Sequence, residues 1–281
     1  MLETTAAVRQ MTTADLSEVR ELLGRDPVMD IFVGARVHTS GLQPGRLGGR
    51  LWGYREDERL VSLCYSGANL VPVAATPPAV RTFAHLLSRT GRTCSSVVGP
   101  ADAVLGMWDL LRPSWGPARD VRARQPVLAM REVPSVRADP LVRRVLPEEI
   151  DRLLPASIAM FTEEVGVSPV GADNGAQYRA RVAELVRRGR AFARFEGGEV
   201  VFKAEVGAVT PLACQIQGVW VRPDRRGEGL SVGGMAAVVH AALRDIAPIV
   251  SLYVNDFNVA ARAAYDRVGF REVGTFATVL F

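Results

Sequence analysis

The chain has 281 residues, 48% hydrophobic and 23% charged, which suits a folded globular protein and is too long for one small core at about 150 residues per domain. No run approaches the ~18 uninterrupted apolar residues of a membrane span, and the N-terminal MLETTAAVRQMTTAD lacks the basic start and apolar core of a signal peptide. A cytoplasmic protein without a membrane partner is therefore expected. The net charge of +4 is spread along the chain, with 17 basic and 14 acidic residues before position 141 and 17 and 16 after it. Arginines recur beside acids, as in Asp224-Arg225-Arg226, whereas a nucleic-acid surface requires clustering, so no nucleic-acid partner is expected. Lys203 is the only lysine. Cys64, Cys94 and Cys214 are odd in number and far apart, matching neither a disulfide framework nor a zinc spacing, and no metal is expected.

A strand is predicted over 7–11, and Thr13-Ala14-Asp15 opens a helix carrying Leu16, Val19, Leu22 and Leu23 at helical spacing. Strands over 51–54 and 61–65 form a hairpin around Glu56-Asp57-Glu58, and a third strand covers 69–74. Pro77-Pro78 starts a helix through Val80, Phe83 and Leu87. A strand at 95–98, a helix over 101–111 and a strand at 125–130 complete the first half. Residues 132–140, with two prolines and several charges, look like a linker between a domain at 1–131 and one at 141–281.

The second half opens with a short strand at 141–145 and a helix begun by Pro147-Glu148-Glu149, with Ile150, Leu153, Leu154 and Ile158 on one face. A helix over 174–188 follows, then strands at 191–195 and 200–206 joined at Gly197-Gly198, and a strand at 215–222. A long apolar helix over 229–244, a strand at 249–254, a helix over 258–268 and a last strand close the chain. The order β-α-α-β-β-β-α-β-α-β repeats the outline of the first half, which points to an internal duplication.

The informative segment is Val219-Trp220-Val221-Arg222-Pro223-Asp224-Arg225-Arg226-Gly227-Glu228-Gly229-Leu230-Ser231. A strand ends, a loop with two glycines follows, and a long helix begins at once. That layout presents backbone N–H groups at the positive end of a helix, where an anion is favoured, and glycine lets a phosphate approach the backbone. A second segment, Asn258-Val259-Ala260-Ala261-Arg262-Ala263-Ala264-Tyr265-Asp266-Arg267-Val268-Gly269-Phe270, puts Asn258, Ala261 and Tyr265 on one helix face. Asn258 suits an N-cap and Gly269 a left-handed stop.

Arg226-Gly227-Glu228-Gly229-Leu230-Ser231 resembles the R/Q-x-x-G-x-G/A motif of GNAT acyltransferases, with Ser231 replacing the final Gly or Ala. The second segment is similar to that family's N-x-x-A-x-x-x-Y-x-x-x-G-F pattern. The whole layout resembles actinobacterial proteins that join an uncharacterised N-terminal domain to a C-terminal GNAT domain. The resemblance implies an α/β layered fold of two GNAT-like domains, each a mixed, mostly antiparallel sheet flanked by helices. The first copy is degenerate, because Pro77-Pro78 stands where the loop should be.

The resemblance further implies that acetyl-CoA, or another short acyl-CoA, binds Val219, Trp220, Val221, Arg226, Gly227, Glu228, Gly229, Leu230, Ser231, Asn258, Ala261 and Tyr265. The acyl group would pass directly to a primary amine of a small molecule or peptide, with the Val219 backbone N–H polarising the thioester carbonyl and Tyr265 as general acid. Glu163 and Glu164 are candidates for attracting a cationic amine. Gln215 and Gln217 stand where many relatives place a basic glutamate, so a non-catalytic acyl-CoA sensor is the alternative. An aminoacyl-tRNA-dependent transferase is a second alternative, disfavoured by the even charge. A monomer or homodimer is expected.

Overall fold

The computed structural model describes residues 7–43, 45–171 and 173–281, so positions 1–6 of the N-terminal segment discussed above lie outside the described residues. It divides into two units. One runs to Leu128 and includes Tyr253–Phe257 and Glu272–Phe281; the other comprises Ala129–Leu252 and Asn258–Arg271.

The first unit contains β1 (Ala7–Gln10), α1 (Leu16–Arg25), α2 (Ile31–Ser40), β2 (Gly49–Glu56), β3 (Arg59–Gly67), β4 (Asn69–Val73), α3 (Pro77–Ser88), β5 (Ser96–Pro100), α4 (Ala101–Trp115) and β6 (Asp120–Met130). Val19, Leu22 and Leu23 form the buried stripe of α1, and Asp15 accepts the Thr12 N–H at 2.8 Å to close the turn before it. The β2–β3 hairpin turns at Asp57 and Glu58 with φ of 45° and 66°, the left-handed pair that matches strand twist. The helix α2 has no counterpart among the elements read from sequence. Its segment IFVGARVHTS is rich in β-branched residues, Gly and Ser, which are poor helix formers. It folds as a helix because Val33 and Val37 pack with α1 into the core. With α2 in place, both halves follow one element order.

The second unit contains β7 (Arg143–Arg144), α5 (Ile150–Val165), α6 (Ala176–Arg187), β8 (Ala191–Glu196), β9 (Glu199–Val209), β10 (Cys214–Val221), α7 (Leu230–Asp245), β11 (Val250–Tyr253) and α8 (Val259–Val268), after which the chain ends in β12 (Arg271–Leu280). The strand expected at 141–145 reduces to the two residues of β7.

In the first unit the strands run β1-β2-β3-β4-β5-β12-β6, and in the second β11-β10-β9-β8-β7. The helices α1 and α2 cover one face of the first sheet through Val19, Leu22, Val33 and Val37, and α3 and α4 cover the other through Phe83, Val104 and Met107. In the second unit α5 and α6 bury Leu153, Met160 and Val182 with Ala191, Ala193 and Trp220. The opposite face meets α7, where Gly234 lies against the Phe202 ring.

Two boundaries differ from the sequence expectation. The final strand does not stay with 141–281: β12 pairs antiparallel with β5, from Phe276↔Pro100 to Leu280↔Ser96, and Ala277 and Val279 are buried in the first unit's core. The 132–140 segment is not a free linker. Asp139 donates its N–H to the Gly233 carbonyl at 2.9 Å and receives Arg194 at 2.8 Å, which fastens the segment to the second unit. No helix among the described residues is long and apolar enough to cross a membrane.

A Cβ added at Gly234 would stand 2.7 Å from the buried Phe202 ring, whereas at Gly106 in α4 it would meet Val80 at an ordinary 3.7 Å. Gly234→Ala should therefore lose about 1–3 kcal/mol to overpacking, and Gly106→Ala should gain roughly 0.5–1 kcal/mol of helix stability. Urea denaturation of the two variants checks the opposite signs.

Candidate functional site

The two parallel strands β10 and β11 pair only at Cys214↔Val250 and Gln215↔Ser251. Beyond Gln215 β10 continues to Val221 without a partner on that side. The C-terminal ends of β10, the start of α7 and one face of α8 enclose a cavity of about 350 Å³. Its lining includes Glu163, Val219, Trp220, Val221, Arg226, Gly227, Gly229, Leu230, Ser231, Asn258, Ala261 and Tyr265. The candidate residues of the two sequence segments thus meet in one place, 27 or more positions apart in the chain. Glu228 and Glu164 are not among the lining residues. The Glu228 carboxylate holds Arg225 at 2.8 Å.

The loop has the conformation its glycines predict. Gly227 and Gly229 have φ of 85° and 80°, with open space where a Cβ would stand, and Gly229 caps α7. The Val232 and Gly233 N–H groups bond to the Gly229 carbonyl, so those of Leu230 and Ser231 precede the first intrahelical bonds of α7. The loop cations are tied to acids: Arg222 to Asp224 and Glu199, Arg225 to Glu196 and Glu228. Arg226 donates to the Val221 carbonyl at 3.1 Å and to Glu163 at 2.7 Å. The other Glu163 oxygen accepts the Trp220 indole N–H at 3.1 Å. Glu163, read from sequence as an acceptor-site residue, is thus fastened to the loop and to β10.

Asn258 caps α8 as expected, its side chain accepting the Ala261 N–H at 3.1 Å. Gly269, with φ of 113°, ends the helix by donating to the Tyr265 and Asp266 carbonyls. Tyr265 is 7% exposed and stacks edge-on with Phe270. Burial, with the charge of Glu164 adding, raises the pKa of its phenol well above the ordinary value, so it keeps its proton at every ordinary pH. The glutamines diverge. Gln215 is buried with its Nε2 unpartnered, while Gln217 lies over Gly207 on β9.

Sequence reading missed a bulge. The β9–β10 register passes from Gln217↔Glu205 to Trp220↔Lys203, leaving Gly218 and Val219 opposite Ala204 alone, and Gly218 takes a φ of 58°. A lone glycine inside an apolar strand was the available signal. Beneath it, the fully buried Lys203 ammonium donates to Glu205 at 2.6 Å and to the Gly218 carbonyl at 3.2 Å. On the same face Tyr178 donates to the Ser157 carbonyl at 2.8 Å. Burial, with the Glu205 charge, pushes its pKa up to about 12.

The two halves of the chain share one element order and one two-pair parallel opening, at β4/β5 and at β10/β11, which marks a duplicated fold. Residues 159–270 match the Acetyltransferase (GNAT) family profile, which places a GNAT domain in the C-terminal part of the chain, and residues 49–153 match a domain of unknown function, DUF4081. Among solved structures of similar fold is an acetyltransferase from the GNAT family of Colwellia psychrerythraea, 13% identical over 98% of this chain and 99% of that one, with a TM-score of 0.58. A Drosophila protein is 12% identical over 98% of each chain, at 0.64. A tandem GNAT protein from the clavulanic acid biosynthesis pathway is 15% identical over 98% of each, at 0.55. No curated protein matches the chain.

The first unit's opening differs chemically. Pro77 and Pro78 supply no N–H groups at the start of α3, and the Ala79 N–H is taken by the Thr76 side chain.

A side chain at Gly218 would require a left-handed residue and would stand 2.9 Å from the Met160 Cε and 3.3 Å from the Lys203 Nζ. Gly218→Ala should lower stability by about 1–3 kcal/mol, read as a reduced urea midpoint at unchanged m-value.

Proposed function

We propose that the second unit is an N-acyltransferase that moves acetyl, or another short acyl group, from its CoA thioester directly to a primary amine of a small molecule or peptide. The observation that supports this most is the convergence, on one cavity, of a glycine-lined helix start, an unpaired stretch of β10 and a protonated buried phenol. The open Cβ positions of Gly227 and Gly229 leave room for a pyrophosphate against the backbone, so the residues present fit an acyl-CoA. The backbone of Arg226, Gly227, Glu228, Gly229, Leu230 and Ser231 would hold the pyrophosphate, with the Arg226 guanidinium beside it. Glu228 contributes only its main chain, since its carboxylate serves Arg225. Trp220 and Val221 would flank the pantetheine arm, and the small Ala261 side chain keeps the α8 wall low.

An acyl-CoA supplies an activated carbonyl with a thiolate leaving group. The Val219 N–H, in the β10 bulge and beside the cavity, would donate to a developing oxyanion. Tyr265, kept neutral by burial, can donate its proton to a departing thiolate. Neither Gln215 nor Gln217 can accept a proton from an amine. This favours a second reading, a non-catalytic acyl-CoA sensor. The two separate on Tyr265→Phe: an enzyme keeps acetyl-CoA binding and loses about 10²–10⁴-fold in turnover, scored by thiol release with a panel of primary amines. A wild-type protein that binds acetyl-CoA but acylates no amine would be a sensor.

Binding itself is checked by calorimetry with acetyl-CoA. The double variant Arg226→Glu, Gly229→Glu should abolish it. Because Glu163 occupies the Arg226 guanidinium that a phosphate would use, Glu163→Gln should bind acetyl-CoA about two- to fivefold more tightly, the scale of a half-exposed ion pair. No binding by folded wild-type protein would reduce the loop to a tight strand–helix connection.

A further inference from the structure

The chain's single lysine has its charge where a surface residue never would: Lys203 is 0% exposed, in the middle of an apolar strand, and Glu205, two residues on, is 4% exposed. A buried pair of this kind rarely repays its desolvation as stability, so its geometry is the better guide to its use. The ammonium reaches beyond its carboxylate partner to one backbone oxygen, that of Gly218 in the β10 bulge. Gly218 and Val219 share Ala204 across the bulge and have no register partner on β11, so the peptide between them stands outside the regular one-to-one pairing of β10. That peptide is trans. A planar trans peptide points its C=O and N–H in opposite directions. Drawing the Gly218 carbonyl toward Lys203 therefore turns the Val219 N–H the other way, and Val219 lines the cavity.

We propose that Lys203 and Glu205 are positioning residues: the buried ammonium, held by the Glu205 carboxylate, clamps the Gly218 carbonyl and thereby aims the Val219 N–H into the cavity, where it takes the acyl carbonyl. This rests on the acyl-CoA reading of that cavity. The charge also polarises the peptide it touches, which makes its N–H a stronger donor than an uncharged bulge would offer. Met160 on α5 lies over Gly218, with its Cε 2.9 Å from where a Cβ would stand.

The test compares acetyl-CoA with free CoA, which share every contact except the acyl carbonyl. Wild-type protein should prefer acetyl-CoA, and the carbonyl stretch of acetyl-CoA labelled at the carbonyl carbon should move to lower frequency on binding. Lys203→Met should lose about five- to tenfold in acetyl-CoA affinity, the worth of one polarised hydrogen bond, with CoA affinity unchanged within twofold and the frequency shift abolished. Because Lys203→Met leaves Glu205 buried and unpaired, the charge-neutral double variant Lys203→Met, Glu205→Gln is measured beside it and should behave alike. A folded variant of either kind that keeps the wild-type preference and frequency shift overturns the proposal. Failure of wild-type protein to bind either form overturns the acyl-CoA reading itself, and the positioning role with it.

Discussion

Two strands that part after two residue pairs leave a problem of unsatisfied backbone, and the second unit is organised around its solution. Backbone N–H and C=O groups taken from water need partners, and on the β11 side of β10 there are none beyond Gln215. The chain meets this in three ways. It bulges at Gly218 and passes one carbonyl to a buried ammonium. It leaves N–H groups toward a cavity large enough for a ligand. It then turns within a short glycine loop into α7, whose first N–H groups face the same space. Each device has a cost, in left-handed glycines, a desolvated charge pair and unpaired donors. Together they gather donors around the place where a phosphorylated thioester would lie.

The first unit shows what the same architecture is without that chemistry. Its β4 and β5 also part after two pairs, at Asn69↔Ser96 and Leu70↔Val97. There the helix begins with two prolines and a threonine cap, which complete its first turn internally. On its other edge β5 is paired by β12, whose Ala277 and Val279 fill the core beside Val104 and Met107. The wedge is a property of the fold, and what can bind in it is decided by a few residues placed on it.

Electrostatics at the second wedge are local. Arg222 and Arg225 are neutralised by neighbouring carboxylates, which brace the loop against β8 and β9. Arg225 and Arg226 both line the cavity, and Arg226 is shared with Glu163 from α5. On the proposed reading, a bound phosphate would rest mainly on oriented backbone dipoles, with one guanidinium whose partner it would have to displace.

Local features were readable directly. The Asp57-Glu58 turn, the Asn258 cap, the Gly269 stop and the two glycines of the loop each depend on residues a few positions apart, and the structure places them as their chemistry requires. The helix α2 was not readable, because its segment opposes its own helix propensity and is held by packing against α1. The membership of β12 was hidden for a related reason: an alternating strand advertises that it will pair, not with which edge. The site divides in the same way. Sequence alone determined the loop and helix that can face an anion, since left-handed glycines and a helix start are local facts. Only the tertiary structure decided that Lys203 and Glu205 lie under Gly218, that Glu163 closes on Arg226, and that Tyr265 is buried beside the opening. Those distances depend on strand register and helix docking, which arise from the whole unit's packing and leave no trace in any short stretch of chain.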